Sequence, residues 1–452
     1  MKKILGKNIT QKIRPLGHGV KNLLASMWYG FPAKRLRIIG ITGTKGKTTT
    51  TTISGRLANL AGIKSGYTTT AVINTGSIEG EFLNPFKMTS IDGVTTQKYL
   101  AEMVKNGCEW VFMEMSSQGL EQNRHWGLFG FDEVVFLNLY PEHIEAHGSY
   151  EKYKQAKGVL FSKVKKGGIF IGNSDFEESE YMWNVVPNGL KNSVAKKLIG
   201  FNDFTILPKK DSLFQNIVID DQVFSTNFTA KFDILNCFFA ITEIASLLNR
   251  NDKESQKSIT KKLAAHLENI YEVAGRMEWV VRDGQVLNTK STNINNPNIS
   301  ILVDYAHEPE SMKQLLETLT MWKEKGYFEN IIHIVSCDGV GRDDWKKPIL
   351  GQISKKFADY SILTTDNYDE QDNPEDITNL LSKSLDPSYL NQAYFCFSDR
   401  KQALEKSIEI AKHSGLKTII VSTGVGSEQG LTQPGGKIWW DEREVWRSLF
   451  SQ

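Results

Sequence analysis

The sequence predicts an α/β fold, with a P-loop central domain built on a mostly parallel sheet and a C-terminal Rossmann-like α/β domain. Three observations predict it. Short apolar runs alternate with stretches of helical period along two long segments. A Gly, Lys and Thr cluster, Thr42 to Thr49, stands between one such run and a helical stretch. The alternation is interrupted by the polar segment Asn249 to Lys261 and resumes after Gly275-Arg276. At 452 residues and 40% hydrophobic, the chain is too long for one ordinary core and has ample apolar material for several.

In chain order, residues 1–36 form an N-terminal helical segment, in which Ile13, Leu16, Val20, Leu23, Leu24 and Met27 recur at helical spacing among Lys12, Arg14 and Lys21. Packing of that apolar face on the body of the protein is the reading taken, with a membrane-surface helix as the alternative. Residues 37–274 form the central domain. It has a buried strand at 37–42, a helix at 48–61, strands at 110–115, 133–139 and 168–172, and helices at 97–105 and 150–165. An alternating stretch at 212–228 and a helix at 235–248 complete it, followed by a helix-like stretch from the polar segment to Ala274. Residues 275–452 repeat the pattern, with strands at 300–304, 331–335, 360–363, 393–397 and 418–421 and helices at 311–325, 347–356 and 401–412.

Charge and cysteine content narrow the function classes. Lys and Arg total 54 against 52 Asp and Glu, a net charge of +2, so no basic field attracts nucleic acid and an anionic ligand must be met locally. The four cysteines, at 108, 237, 337 and 396, form no C-x-x-C pair, which argues against a zinc ribbon and a disulfide framework. No run reaches the ~18 apolar residues of a membrane span. A soluble, cytoplasmic protein without stable membrane insertion, monomeric or a weak dimer, is expected.

Between strand and helix, Gly43 and Gly46 let the backbone turn and aim amides at phosphate oxygens, and the helix that follows adds its positive end. Lys47 supplies a mobile charge, and the Thr48 hydroxyl suits magnesium. Thr44, Lys45 and Thr49 complete the loop. The pattern departs from G-x-x-x-x-G-K-S/T in having Ile41 where the first glycine falls.

Thr42-Gly43-Thr44-Lys45-Gly46-Lys47-Thr48-Thr49 resembles the ATP loop of the Mur ligase family, which includes folylpolyglutamate synthetase. Met113 to Leu120 resembles the family's E-x-S-S-x-x-L, Asn138 to Gly148 resembles N-L-x-x-D-H-L-D-x-H-G, and Tyr153 to Lys157 resembles Y-x-x-A-K. Gly275-Arg276 resembles the G-R that opens the C-terminal part, and Asp304 to Pro309 resembles D-Y-A-H-x-P. The resemblance is nearest to the muramoyl-tripeptide synthetase branch.

It implies an ATP-dependent ligase that activates a carboxylate as an acyl phosphate and couples it to an amino acid, in peptidoglycan-precursor synthesis. It implies ATP and two Mg2+, with Thr48, Glu114, His143 and a carbamylated Lys157 around the metals, and Lys47, Lys157, His143 and Glu114 as catalytic residues. Asn236, Arg276, Asp304 and His307 resemble nucleotide contacts. Thr89, Ser90, Ser116, Ser117, Asp366, Asn367 and Glu428 are expected on the substrate side. The expected partners are a small-molecule or peptide acceptor and an amino acid.

Two departures qualify the resemblance. Only 36 residues precede the first strand, so the family's N-terminal domain for the uridine end of the substrate is expected to be absent or reduced to a helix. The segment D-N-P-R of diaminopimelate-adding enzymes reads Asp366-Asn367-Tyr368-Asp369, and G-K-G-H-E reads Gly424-Val425-Gly426-Ser427-Glu428. An acid in place of the arginine disfavours a distal carboxylate, so a basic or small amino acid is expected rather than diaminopimelate. A ligase acting on a non-muramoyl acceptor, and a non-catalytic nucleotide-binding subunit, are the alternatives.

Overall fold

The computed structural model describes residues 7–86, 88–210, 212–249, 252–288 and 295–451, with residues 7–14 and Lys253 described by backbone alone. The start of the N-terminal segment, residues 1–6, lies outside them. The chain divides between Tyr271 and Glu272 into two compact units.

In the first unit the strands are β1 (Arg37–Thr42), β2 (Ser65–Thr68), β3 (Val72–Asn74), β4 (Glu81–Leu83), β5 (Trp110–Glu114), β6 (Phe131–Phe136), β7 (Val164–Asn173) and β8 (Ala195–Ile199). They form one sheet in the order β4-β3-β2-β5-β1-β6-β7-β8, parallel from β2 to β8 and antiparallel at the β3 and β4 edge. A separate antiparallel sheet holds β9 (Thr205–Pro208), β10 (Gln215–Ile219) and β11 (Gln222–Ser225). β1 runs between β5 and β6, pairing Ile41 with Glu114 and Thr42 with Phe136. Its carboxyl end therefore opens where ligands bind in parallel α/β sheets.

The helices are α1 (Lys7–Trp28), α2 (Lys47–Leu60), α3 (Gly93–Lys105), α4 (Ser117–Glu121), α5 (Ile144–His147), α6 (Tyr150–Gly158), α7 (Glu178–Val185), α8 (Lys231–Leu248) and α9 (Lys253–Ala264). α2 begins with a run of threonines, which are poor helix formers because branching at Cβ restricts χ1. Tertiary packing overrides that preference: Thr48 to Thr52 are all buried, and the Thr50 hydroxyl donates to Asn236 Oδ1 on α8 at 3.1 Å.

Three expectations are corrected. The helix expected to run to 165 stops at Gly158, and after a 3-10 turn (Phe161–Lys163) the chain enters β7 at Val164, whose side chain joins the core. The polar segment after Asn249 holds α9, because Asp252 caps it by accepting from the amides of Glu254 and Ser255. α1 does meet the body, but through Gly19, Asn22, Ala25 and Ser26; Leu16, Val20, Leu23, Leu24 and Met27 face outward.

The second unit holds a sheet of order β13-β12-β14-β18-β15-β16-β17: β12 (Glu278–Arg282), β13 (Gln285–Val286), β14 (Ile299–Val303), β15 (Asn330–Cys337), β16 (Tyr360–Thr365), β17 (Tyr394–Cys396) and β18 (Thr418–Ser422). All neighbours from β14 onward are parallel, whereas β12 and β13 add antiparallel edge strands that the periodicity did not predict. A hairpin of β19 (Gln429–Gln433) and β20 (Gly436–Asp441) follows. The helices are α10 (Pro309–Glu324), α11 (Lys347–Phe357), α12 (Pro374–Ser382), α13 (Arg400–Ser414) and α14 (Glu442–Ser451). Ile301, Ile334, Ile362, Ile420, Leu404 and Trp446 meet in its core.

Candidate active site

The loop from Gly43 to Gly46 leaves β1 and turns into α2. Gly46 has φ of +80°, and a Cβ there would lie 2.6 Å from Asn236 Oδ1, so the turn excludes a side chain on two counts. At Gly43 the reason is close approach: a Cβ would meet Leu137 Cβ at 2.9 Å. Asn236 thus supports the loop from below, bonded to Thr50.

Sequence reasoning missed Asn138, which organises the loop. Its Oδ1 accepts from the Thr44 and Lys45 amides at 3.0 and 2.8 Å, and its Nδ2 donates to the Lys45 carbonyl at 3.1 Å. The Thr44 and Lys45 amides are therefore engaged by protein. The first-turn amides of α2, Lys47 to Thr49, have no carbonyl one turn earlier within the helix, and they form the anion-facing end. Lys47 Nζ donates to the Thr44 carbonyl at 2.8 Å, folded back over the loop, and Lys45 Nζ lies 3.3 Å from Glu142 Oε1.

Glu114, at the end of β5, is buried. Its Oε2 accepts from the Thr48 hydroxyl at 2.9 Å, the Thr70 amide at 2.8 Å and the Thr70 hydroxyl at 3.1 Å, all neutral donors. Burying a carboxylate without a cation is costly, and the adjacent Thr48 and Glu114 oxygens are the hard donors that magnesium takes. The Thr70 hydroxyl stands 2.8 Å from Thr89 Oγ1, so an unbroken chain of contacts joins Thr48, Glu114, Thr70 and Thr89. Beside it, Ser90 Oγ accepts from the Ser116 amide and hydroxyl at 3.1 and 3.0 Å, Ser116 caps α4, and Arg124 Nη1 donates to the Ser90 carbonyl. Thr70 and Arg124 are further residues the sequence reading did not single out.

Lys157, on α6, is 1% exposed and donates to the Gly43 carbonyl at 2.7 Å. Burial first, and then the charge of Lys47, hold its amine well below the ordinary lysine range. Its nitrogen lies over the Tyr153 ring, 4.5 Å from the centroid, and the Tyr153 hydroxyl meets Thr44 Oγ1 at 3.0 Å. The same ring is met edge-on by His143, with centroids 6.0 Å apart. His143 is the N-cap of α5 at φ of 55°, its Nε2 3.6 Å from Glu142 Oε1. Tyr153 therefore joins the loop, Lys157 and His143. Ser117 Oγ lies 3.0 Å from Nε2 of buried His147, whose imidazole is shifted down by burial against the opposing pull of Glu121.

In the second unit, Asp304 accepts from the Met277 and Ala306 amides at 2.8 and 2.7 Å. Burial raises its pKa, opposed by Arg276. Arg276 lies over the Tyr305 ring, 4.3 Å from its centroid, and donates to the Gly275 carbonyl. His307 Nδ1 is 2.8 Å from the Tyr305 carbonyl oxygen, and the Tyr305 hydroxyl donates to Glu428 at 3.2 Å, which links the D-Y-A-H and G-V-G-S-E segments.

Asp366 is buried in an ionic cluster. Its Oδ1 accepts from Ser336 and, at 2.9 Å, from Arg400, which is itself bidentate to Glu442. Burial pushes the Asp366 carboxyl up to about 7, against the pull of Arg400. The Asn367 amide group binds Asp338 Oδ1 and the Thr432 amide, and Asp369 pairs with Arg342 at 3.3 Å.

Residues 41–243 match the Mur ligase middle domain, and residues 275–426 match the Mur ligase glutamate ligase domain. The chain is 30% identical over 437 residues to a UDP-N-acetylmuramoyl-L-alanyl-D-glutamate–2,6-diaminopimelate ligase of Parabacteroides distasonis, covering 95% of this chain and 81% of that protein. A UDP-N-acetylmuramyl-tripeptide synthetase of Borreliella afzelii is 28% identical, with 93% and 78% covered. Among solved structures, another diaminopimelate ligase of the first type superposes with a TM-score of 0.55 at 25% identity, covering 92% of this chain and 78% of that one. A Mycobacterium tuberculosis folylpolyglutamate synthase, complexed with ADP and AMPPCP, reaches 0.67 at 12% identity, with 96% and 95% covered, a likeness of fold.

Proposed function

The chain belongs to the Mur ligase family, and from that premise we propose that it is an ATP-dependent ligase joining an amino acid to a carboxylate of a peptidoglycan-precursor peptide. The observation that carries the reading is the chain of contacts from Thr48 through Glu114 and Thr70 to Thr89, which starts at the ATP loop and ends at the strip assigned to the acceptor.

The acceptor carboxylate attacks the γ-phosphorus of ATP, the bond from that phosphorus to the β–γ bridging oxygen breaks, and ADP leaves. The amine then attacks the acyl carbon, the bond from that carbon to the phosphate oxygen breaks, phosphate departs with the electron pair, and the nitrogen loses a proton. Such chemistry depends on positioning and on neutralising spread negative charge. Lys47 supplies a mobile cation beside the loop, and the first-turn amides of α2 hold the phosphates.

Thr48 and Glu114 would hold one Mg2+ and His143 with a carbamylated Lys157 a second; when bound, the ions neutralise phosphate charge and draw the two anionic reactants together. Carbamylation requires a neutral amine, and burial of Lys157 favours that form. It also turns an amine crowded by Lys47 and Lys45 into an anion that they attract.

Ser90, Ser116 and Arg124 are assigned to the acceptor, and Asn367 and Glu428 to the incoming amino acid. Asp366, tied to Arg400, orients the segment rather than meeting substrate. The relatives named above include diaminopimelate ligases, but here Asp369, in the position of the family's arginine, forms an ion pair with Arg342. We assign a basic or small amino acid, in preference to one with a distal carboxylate, because an acid stands at 369 in place of the arginine, its charge partly offset by Arg342.

The test is a panel crossing muramoyl-dipeptide acceptors, with and without the UDP group, against amino acids. Phosphate release and product mass are followed, with Lys47→Ala as control. A pair that yields the amide product mass together with phosphate identifies the substrates; phosphate release no higher than in the control for every pair rejects the ligase.

A further inference from the structure

α1 is amphipathic in the reverse sense for a helix that only packs on a protein. Its inward face is small and polar: Asn22 Nδ2 donates to the Asn123 carbonyl at 3.2 Å, Ser26 Oγ donates to the Gly127 carbonyl at 3.2 Å, and Asn123 Nδ2 donates to the Pro15 carbonyl at 3.3 Å. Its outward face carries Leu16, Val20, Leu23, Leu24 and Met27, each between 43 and 58% exposed, and it ends on Trp28, 86% exposed. A contiguous apolar stripe of this kind over three helical turns marks an interaction surface.

The charge within the segment itself has one sign. Residues 1–36 contain eight Lys and Arg and no Asp or Glu, and the first acid in the chain is Glu79. Next to the stripe opens a cavity of about 370 Å³ lined by Leu23, His125, Trp126, Phe129, Phe131 and Lys163, with no acid among its lining residues. His125 is 6% exposed and neither ring nitrogen has a hydrogen-bond partner. Lys34 covers the Phe129 ring at 4.8 Å. The cavity thus offers apolar walls, one buried polar group unmatched by protein, and cations nearby.

We propose that α1 and this cavity dock the first unit on an anionic phospholipid bilayer. Leu16 to Met27 enter the acyl boundary, Trp28 sits at headgroup level, and Lys21, Lys34 and Lys163 meet lipid phosphates. The cavity takes part of one lipid against its apolar walls beside Lys163. No helix among the described residues is long and apolar enough to cross a membrane, so α1 lies in the interface plane. A second copy of the chain is the poorer occupant, because it would set this cationic segment against its own like charges.

The inference stands independently of the ligase reading. It is tested by co-sedimentation of the full chain with vesicles of phosphatidylcholine alone and with about one-third phosphatidylglycerol, a content high enough for the surface potential to act. Binding to the anionic vesicles only, weakened by added salt, is expected. Leu24→Glu with Met27→Glu should lower partitioning about tenfold or more, since two apolar contacts become charges in the interface. Lys21→Glu with Lys34→Glu should remove most of the salt dependence. Both variants should keep the wild-type circular dichroism spectrum and thermal unfolding midpoint in vesicle-free solution, which shows that they are folded. Absence of binding to anionic vesicles at low salt, or equal binding by the Leu24→Glu, Met27→Glu variant, overturns the proposal. Self-association that this variant abolishes, without vesicle binding, assigns the face to a second copy instead.

Discussion

The Lys157 side-chain nitrogen lies 2.7 Å from the carbonyl oxygen of Gly43, the first residue after β1. A buried amine is thereby placed against the backbone of the ATP loop, its pKa held well below the ordinary lysine range by desolvation and by Lys47. If its role is to become a carbamate, Lys157→Ala should lose activity by two orders of magnitude or more, the range of losing a metal-orienting ligand. A short-chain carboxylic acid should restore part of it in Lys157→Ala and none in Lys157→Arg, whose bulk and charge fill the site. Bicarbonate depletion should slow the wild type. Unchanged activity of Lys157→Ala under saturating substrates would remove the carbamate from the scheme.

The Thr48 to Glu114 contact leads to a second expectation. Glu114→Gln keeps the shape and the Thr70 contacts but removes the charge that a divalent cation needs. Phosphate release should fall roughly a hundredfold, with a raised magnesium requirement, and Thr48→Ala should raise that requirement by a smaller factor. Magnesium titrations of the two variants check this; an unshifted magnesium midpoint in Glu114→Gln would assign the carboxylate to loop support alone.

Asn138 should control ATP binding through the loop rather than through phosphate contact. Asn138→Ala removes two accepted bonds and one donated bond, each worth about 1 kcal/mol net, so the KM for ATP should rise tenfold or more. Asn138→Asp keeps an acceptor but adds negative charge beside the triphosphate, so it should be at least as damaging. Nucleotide titrations decide between them: tighter binding by Asp than by Ala would mean that acceptor geometry outweighs charge.

Much of this was legible in the sequence for physical reasons. Buried parallel strands read as short apolar runs, so β1, β5, β14 and β18 were predictable nearly to their ends. The loop was legible because Gly46 needs a left-handed turn and Lys47 and Thr48 follow it. β12 and the threonine strand edge near Thr70 were not, since two to five residues carry too little periodicity. Asn138, Tyr153 and Arg124 stood in or beside recognised motifs, but their partners lie far along the chain: Asn138 reaches back to the Thr44 amide and Tyr153 to the Thr44 hydroxyl. The outward turn of the α1 apolar face depends on what covers the opposite side, and no helical period encodes that. The ionic cluster of Asp366, Arg400 and Glu442 assembles from three distant segments for the same reason.

Glu243, fully buried on α8, accepts from Ser54 Oγ on α2 at 2.8 Å. Burial pushes its carboxyl up to about 8, with the Ser54 bond opposing. In the unfolded chain it titrates near the usual carboxylate value of about 4.3. Between those two values the folded state holds one proton more than the unfolded state, so this group's contribution to stability falls as pH rises through that window and levels off above it. Glu243→Gln keeps the volume and a carbonyl acceptor for Ser54 but cannot ionise. It should match the wild type near pH 5 and exceed it by on the order of 2–4 kcal/mol near pH 8, as a shift of several pKa units implies. Urea unfolding of the full chain across pH 5 to 8 measures the difference; a gap that stays constant with pH would mean that Glu243 is ionised in the folded protein and paired by charges that stabilise it.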